Sequence, residues 1–210
     1  MRFLLVFIPF LLGTVLLSAQ SKEEEGRFTA TIIAGAAFTQ IDGDEDASYS
    51  KVGFIGGVRG GVILGPRMEL ATEILFSQKG SYIQNLDKTY HLDYVEVPVM
   101  FYYKDWKATD ANSDHEYMRV AIGAGFSYSR LLNSRVRQFG TVTSDQPGYV
   151  DPFLKNDFML VIDANIFFLH NWGIGLRWSR SLTTIVQQPL RQQISYAINR
   201  SIAIRALFRF

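Results

Sequence analysis

Histidine, aspartate, glutamate, serine and arginine are the residues here with functional chemistry to offer, and their spacing limits what that chemistry can be. The chain has three histidines, His91, His115 and His170. Only His91 has candidate partners nearby in sequence, Ser77, Ser81 and Asp93, for a base and nucleophile pair of hydrolytic type. No Gly-x-Ser-x-Gly elbow accompanies it. Asp42-Gly43-Asp44-Glu45-Asp46 has the D-x-D-x-D spacing that begins a calcium loop. Ala47 stands where that loop needs Gly, however, and Gly53 where it needs the bidentate Glu, so the run reads as a solvated acidic loop tip. The Gly-rich stretch 53–65 lacks Gly-Lys-Ser/Thr and cradles no phosphate. Cysteine is absent, which excludes disulfides, thiolate metal sites, cysteine nucleophiles and a lipoprotein anchor. No cofactor or metal is expected. Lys plus Arg number 21 and Asp plus Glu number 20, so no basic field exists to hold nucleic acid.

A second set of charged residues stands out once the elements that carry them are read. Arg2 followed by the apolar run Phe3 to Leu17 and then Ser18-Ala19-Gln20 has the form of an export signal cleaved after Ala19. Residues 1–19 are therefore read as signal peptide and 20–210 as one domain. With Arg2 gone, 20 basic and 20 acidic residues remain, a balance that soluble proteins usually avoid.

From Arg27 onward the pattern is two-residue periodic in segments of about ten residues. Eight such segments are expected: 27–40, 51–64, 68–79, 90–104, 117–130, 158–168, 174–185 and 199–210. Pro98 in the fourth predicts a bulge or a missing ladder bond. Tight connections (65–67 and 170–173) alternate with long polar ones (41–50, 80–89, 131–157 and 186–198). Only 105–116 breaks the alternation.

That arrangement predicts an all-β fold, an eight-stranded antiparallel up-and-down transmembrane barrel. A lipocalin-type soluble barrel shares the strand count. Here, though, the apolar face is Val, Ile, Leu, Phe and Trp without charge, while the other face carries Gly with Arg and Glu, which suits lipid outside and a polar lumen inside. Strand parity places both termini in the periplasm. Aromatic girdles are expected from Phe28, Phe101, Tyr102, Tyr117, Phe168, Trp172 and Phe208 on one rim. Phe38, Phe54, Phe76, Phe126, Tyr128 and Trp178 would form the other.

Alternation then assigns the charges. Arg59, Glu73, Glu96, Asp163, Arg177 and Arg205 face inward in one layer, three acids against three arginines. Glu69, Arg119 and Arg209 form a second layer near the periplasmic rim. Such a lumen could be a narrow ion path, but paired charges in a tube only wide enough for side chains read better as a salt-bridged plug.

The run Glu73-Ile74-Leu75-Phe76-Ser77-Gln78-Lys79-Gly80-Ser81, followed by Tyr94-Val95-Glu96-Val97-Pro98-Val99, resembles the E-x-x-[YF]-S-x-K-G … Y-x-E-x-P signature of the PorT-like outer-membrane β-barrel family common in Bacteroidetes. The resemblance extends from about residue 27 to Phe210 and takes in Phe54-Ile55-Gly56-Gly57-Val58. It implies an integral outer-membrane protein in contact with lipid and lipopolysaccharide, with a role of structural or accessory type linked to protein secretion or assembly. It also implies that Phe208 and Phe210 form the C-terminal signal read by the barrel-assembly machinery. Loops 131–157 and 105–116 are the expected partner-binding segments. A passive pore and a membrane hydrolase centred on His91 are the alternatives.

Overall fold

The computed structural model describes residues 27–42, 49, 51–83, 87–109, 116–145, 151–186 and 197–210. The expected signal peptide, most of the acidic run 42–46, and His115 lie outside these residues.

Alternation of large apolar with small or polar residues produces long antiparallel strands: β1 (Phe28–Asp42), β2 (Lys51–Gly65), β3 (Met68–Ile83), β4 (Lys88–Thr109), β5 (Glu116–Gln138), β6 (Thr141–Val142), β7 (Asn156–Phe167), β8 (Trp172–Ser181) and β9 (Ile198–Arg209). Each of β1 to β4 pairs with the next, β4 pairs with β5, β5 with β7, and β7 to β9 continue the ladder. Pairing of β9 with β1, from Thr31↔Arg209 to Asp42↔Ile198, closes an eight-stranded ring. The two-residue β6 stands outside it and pairs only with the tip of β5. Both described ends of the chain lie at one end of the barrel, the terminal end, with the tight 66–67 turn. The opposite, loop end carries the connections beyond Asp42, Ile83, Val142 and Ser181.

The two faces of the ring are segregated. Phe28, Ile32, Val58, Ile74, Val99, Phe126, Ile162, Ile174 and Ile204 are exposed on the outside, whereas Ile33, Arg59, Glu73, Asp163 and Arg205 are buried inside. A side-chain period of two makes this sorting automatic once the register is set.

Several expectations need correction. Segments 105–116 and 131–157 are not simply loops, because β4 and β5 continue as a paired hairpin to Thr109↔Glu116 at one end and Lys88↔Gln138 at the other. This hairpin outruns β7, whose pairing with β5 stops at Val120 and Arg130. Inward-facing Leu92, Tyr94, Leu131 and Val136 sustain it, while a register shift beside Asp93 and Tyr94 hides the alternation in the linear sequence. At its loop end β5 turns back onto β6 through a two-residue turn, Phe139-Gly140, with positive φ at both residues (49° and 76°), as a twisted hairpin requires. The expected strand 174–185 ends at Ser181 because Ile185 and Val186 turn inward, Val186 bridging to Phe153. At Pro98 the β3–β4 ladder breaks between Thr72↔Val99 and Leu75↔Glu96. The Thr72 hydroxyl donates to the Pro98 carbonyl at 3.2 Å. Tyr102 and Tyr117, assigned to a girdle, face inward and are buried.

Tyr90, Leu92, Tyr94, Leu131, Val136, Phe153, Ile185 and Ala197 pack into an apolar cap across the loop end of the lumen. Asp151 anchors the segment that delivers Phe153. Its carboxylate accepts from the Phe153 N–H at 3.0 Å and from Lys155 Nζ at 2.9 Å. Burial pushes this carboxyl up, but those donors and Ser134 outweigh it and hold the group below its ordinary value. A depressed native pKa stabilises the fold above about pH 4 and loses that contribution as pH falls through the native value. We therefore expect the Leu154 amide, which donates to the Ile185 carbonyl at 2.7 Å, to lose hydrogen-exchange protection in D151N at neutral pH. Wild type should lose it only on acidification below about pH 4.

Candidate functional site

Near mid-height in the lumen, β2, β3, β7, β8 and β9 each contribute one charged side chain to a single cluster. Cross-strand register sets Arg59 opposite Glu73 and Asp163 opposite Arg177. Arg59 Nε donates to Glu73 Oε1 at 2.7 Å, and Arg59 Nη2 reaches Asp163 Oδ2 at 3.3 Å. Arg177 bridges both acids, with Nη1 to Glu73 Oε2 at 2.7 Å and Nη2 to Glu73 Oε1 and Asp163 Oδ2, each at 2.9 Å. Arg205 donates to Asp163 Oδ1 and, at 3.2 Å, to Asn165 Oδ1. Tyr102 completes the cage: its hydroxyl donates to Asp163 Oδ2 at 2.6 Å, and the Arg59 guanidinium lies 4.6 Å from its ring centre. All five charged residues are at most 6% exposed.

Room for these long groups comes from glycines. A Cβ on Gly123 would lie 2.5 Å from the Tyr102 ring, and one on Gly175 would lie 2.3 Å from Asn165 Oδ1 and 3.1 Å from Arg205 Nη2.

Glu96, expected in this layer, is elsewhere. It pairs with Lys79 at 2.5 Å, nearer the loop end, leaving two acids rather than three among the arginines. Close by, Asp157 accepts from Ser181 at 2.7 Å and Asn199 at 3.0 Å. The cause is strand stagger, which residue counts along separate strands do not reveal.

The rim layer also differs from expectation. Glu69 pairs with Lys104 and accepts from Thr29 at 2.8 Å. Arg119 instead stacks 5.3 Å from the ring of Trp106, a positive-φ residue (62°) in the β4–β5 extension. Arg209 lies 4.3 Å from the Phe167 ring and donates to the His170 carbonyl at 2.7 Å. Phe208 is stacked on the outer surface between Trp172 (4.9 Å) and Phe210 (5.1 Å).

Lys79, Lys104, Tyr102 and Asn165 were missed as partners, although all four share the parity of residues assigned to the lumen. His91 is exposed on the outer face, while Ser77 and Ser81 are fully buried on the inner one. The sheet separates them, so no base and nucleophile pair forms there.

A closed antiparallel ring with an uncharged apolar exterior and charges enclosed within defines an outer-membrane type of transmembrane β-barrel. The family model for the outer membrane protein beta-barrel domain matches residues 18–187, and the chain belongs to that family. Among solved structures it is similar to Ail, the attachment invasion locus protein of Yersinia pestis, with TM-score 0.50, 11% identity, and coverage of 88% of this chain and 100% of that one. It is also similar to Neisserial surface protein A, with TM-score 0.47, 11% identity, and coverage of 88% and 98%. At such identity the likeness to Ail concerns the fold alone. No curated protein matches the chain.

The cluster makes a stability prediction. Glu73→Gln leaves Asp163 as the one carboxylate shared by Arg59 and Arg177 and should cost about 3–5 kcal/mol, the range for breaking a buried pair. Tyr102→Phe removes one hydrogen bond to a charged group and should cost about 1.5–3 kcal/mol. Reversible urea unfolding in lipid vesicles measures both.

Proposed function

We propose that the chain is a non-enzymatic outer-membrane barrel of PorT-like type that acts by displaying surfaces to protein partners, in a secretion or assembly complex. The observation that carries this reading is where the structure invests its polar chemistry. The charges of the mid-height cluster are paired with one another inside the barrel, and an apolar cap lies over the loop end, which supports a closed plug in preference to a solute path. The sequestration of Ser77 and Ser81 from His91 likewise favours a binding role over hydrolysis.

Surface remains for partners at both ends. The β5–β6 turn carries Phe139, 72% exposed, beyond the loop end, and the β4–β5 extension carries Trp106, 63% exposed, beyond the terminal end. Exposed aromatics on a rigid paired ribbon are suited to protein contact. In this reading the leader at 1–19 is cleaved, the terminal end faces the periplasm, and the loop end meets lipopolysaccharide and the exterior. The outward stack of Trp172, Phe208 and Phe210 presents the chain to the barrel-assembly machinery.

Photo-crosslinking residues placed at Phe139 and Trp106 in the native membrane test the proposal. Discrete protein adducts from at least one position are expected. Adducts with lipid alone at both positions would refute partner display.

A further inference from the structure

Arg180 on β8 and Arg200 on β9 are directly opposite in the register. Both have the outward parity of Trp178 and Ile202, the pair just below them, and of Leu176 and Ile204 below that. Above Trp178 and Ile202 the outer apolar surface is interrupted by a pair of like charges facing each other, with exposed Leu182 following Arg180 on the same side. Like charges directly opposite on neighbouring strands destabilise a sheet. Among the described residues one counter-charge is supplied: Asp42 on β1 reaches Arg200 Nε at 2.6 Å. Among the described residues no carboxylate lies within ion-pair distance of Arg180.

Arg130 on β5 stands at a similar height, above Tyr128. Its Nη1 donates to the neutral Asn156 side chain at 2.6 Å. Three guanidinium groups therefore border the lipid-facing surface at the loop end, and among the described residues Asp42 is the one acid in ion-pair contact with them. Inside the lumen, by contrast, every arginine of the cluster is matched to a carboxylate.

We propose that Arg180 and Arg200 form a seat for a phosphate of the lipid A moiety of lipopolysaccharide, with Arg130 at its flank. A phosphate between the two guanidinium groups would relieve their repulsion and accept paired N–H donors from each. Trp178 and Ile202 below would lie against the acyl chains, at the depth where indole rings favour the membrane interface. Arginine on the lipid face costs little near an interface, so the pair is tolerated there without ligand and gains from an anion. The proposal rests on the reading that the loop end faces the outer leaflet.

Native mass spectrometry of the purified full barrel tests it, titrating lipopolysaccharide, the same lipopolysaccharide after enzymatic dephosphorylation, and phosphatidylglycerol. Wild type should bind the phosphorylated form at least about tenfold more tightly than the other two, a difference of about 1.4 kcal/mol. R180Q/R200Q should lose that preference, and R67Q at the opposite rim should keep it. Heat-modifiable gel mobility identifies the folded fraction of each variant. Unchanged binding by folded R180Q/R200Q, or equal binding of the dephosphorylated form, would overturn the proposal. Labelling of D145C on intact cells by a membrane-impermeant maleimide is expected and reports orientation separately. If D145C is labelled and the preference is absent, the site alone fails. If it is not labelled, the orientation reading fails and the assignment falls with it.

Discussion

Glu73 and Asp163 sit inside a protein that is itself inside a membrane, and three arginines make that possible. An isolated carboxylate in such a place would cost several kcal/mol in lost hydration. Here Glu73 is held by Arg59 and Arg177, and Asp163 by Arg59, Arg177, Arg205 and Tyr102. The donors come from β2, β4, β8 and β9, and the acceptors from β3 and β7, so the cluster fixes the relative heights of six of the eight strands. Its geometry needs glycine at Gly123 and Gly175, where any larger residue would meet Tyr102 or Asn165.

The rest of the lumen is organised around this point. Towards the loop end come the Lys79–Glu96 pair and the Asp157, Ser181 and Asn199 network, then the apolar cap. Towards the terminal end lie Glu69 with Lys104 and the Arg209–Phe167 stack. Polar and apolar layers alternate up the tube, so the interior is packed rather than uniformly polar.

What the sequence made legible follows from the period of two. Parity separated outside from inside, predicted eight strands in a ring, and picked Arg59, Glu73, Asp163, Arg177 and Arg205 as inward-facing residues that the structure places together. Height was the harder coordinate. It depends on stagger between strands, which misplaced Glu96, and on the irregularities beside Asp93 and at Trp106, which hid the length of the β4–β5 hairpin and the fate of Arg119. Tyr102 was misread for a different reason. Aromatics near a strand end suggest a girdle, yet its parity with Glu96 and Met100 pointed inward. The cap was invisible because Phe153 and Val186 lie in segments without strand periodicity, and Ile185 closes an expected strand that in the fold stops at Ser181.

A lumen closed by the charge cluster and cap passes no steady ion current. Planar-bilayer recording of the purified full-length barrel tests it most directly, comparing wild type with an Arg59→Ala/Glu73→Ala/Arg177→Ala variant shown to be folded. Wild type should show no steady conductance, and the variant should show stepwise openings. A steady wild-type conductance that the three substitutions leave unchanged would contradict it.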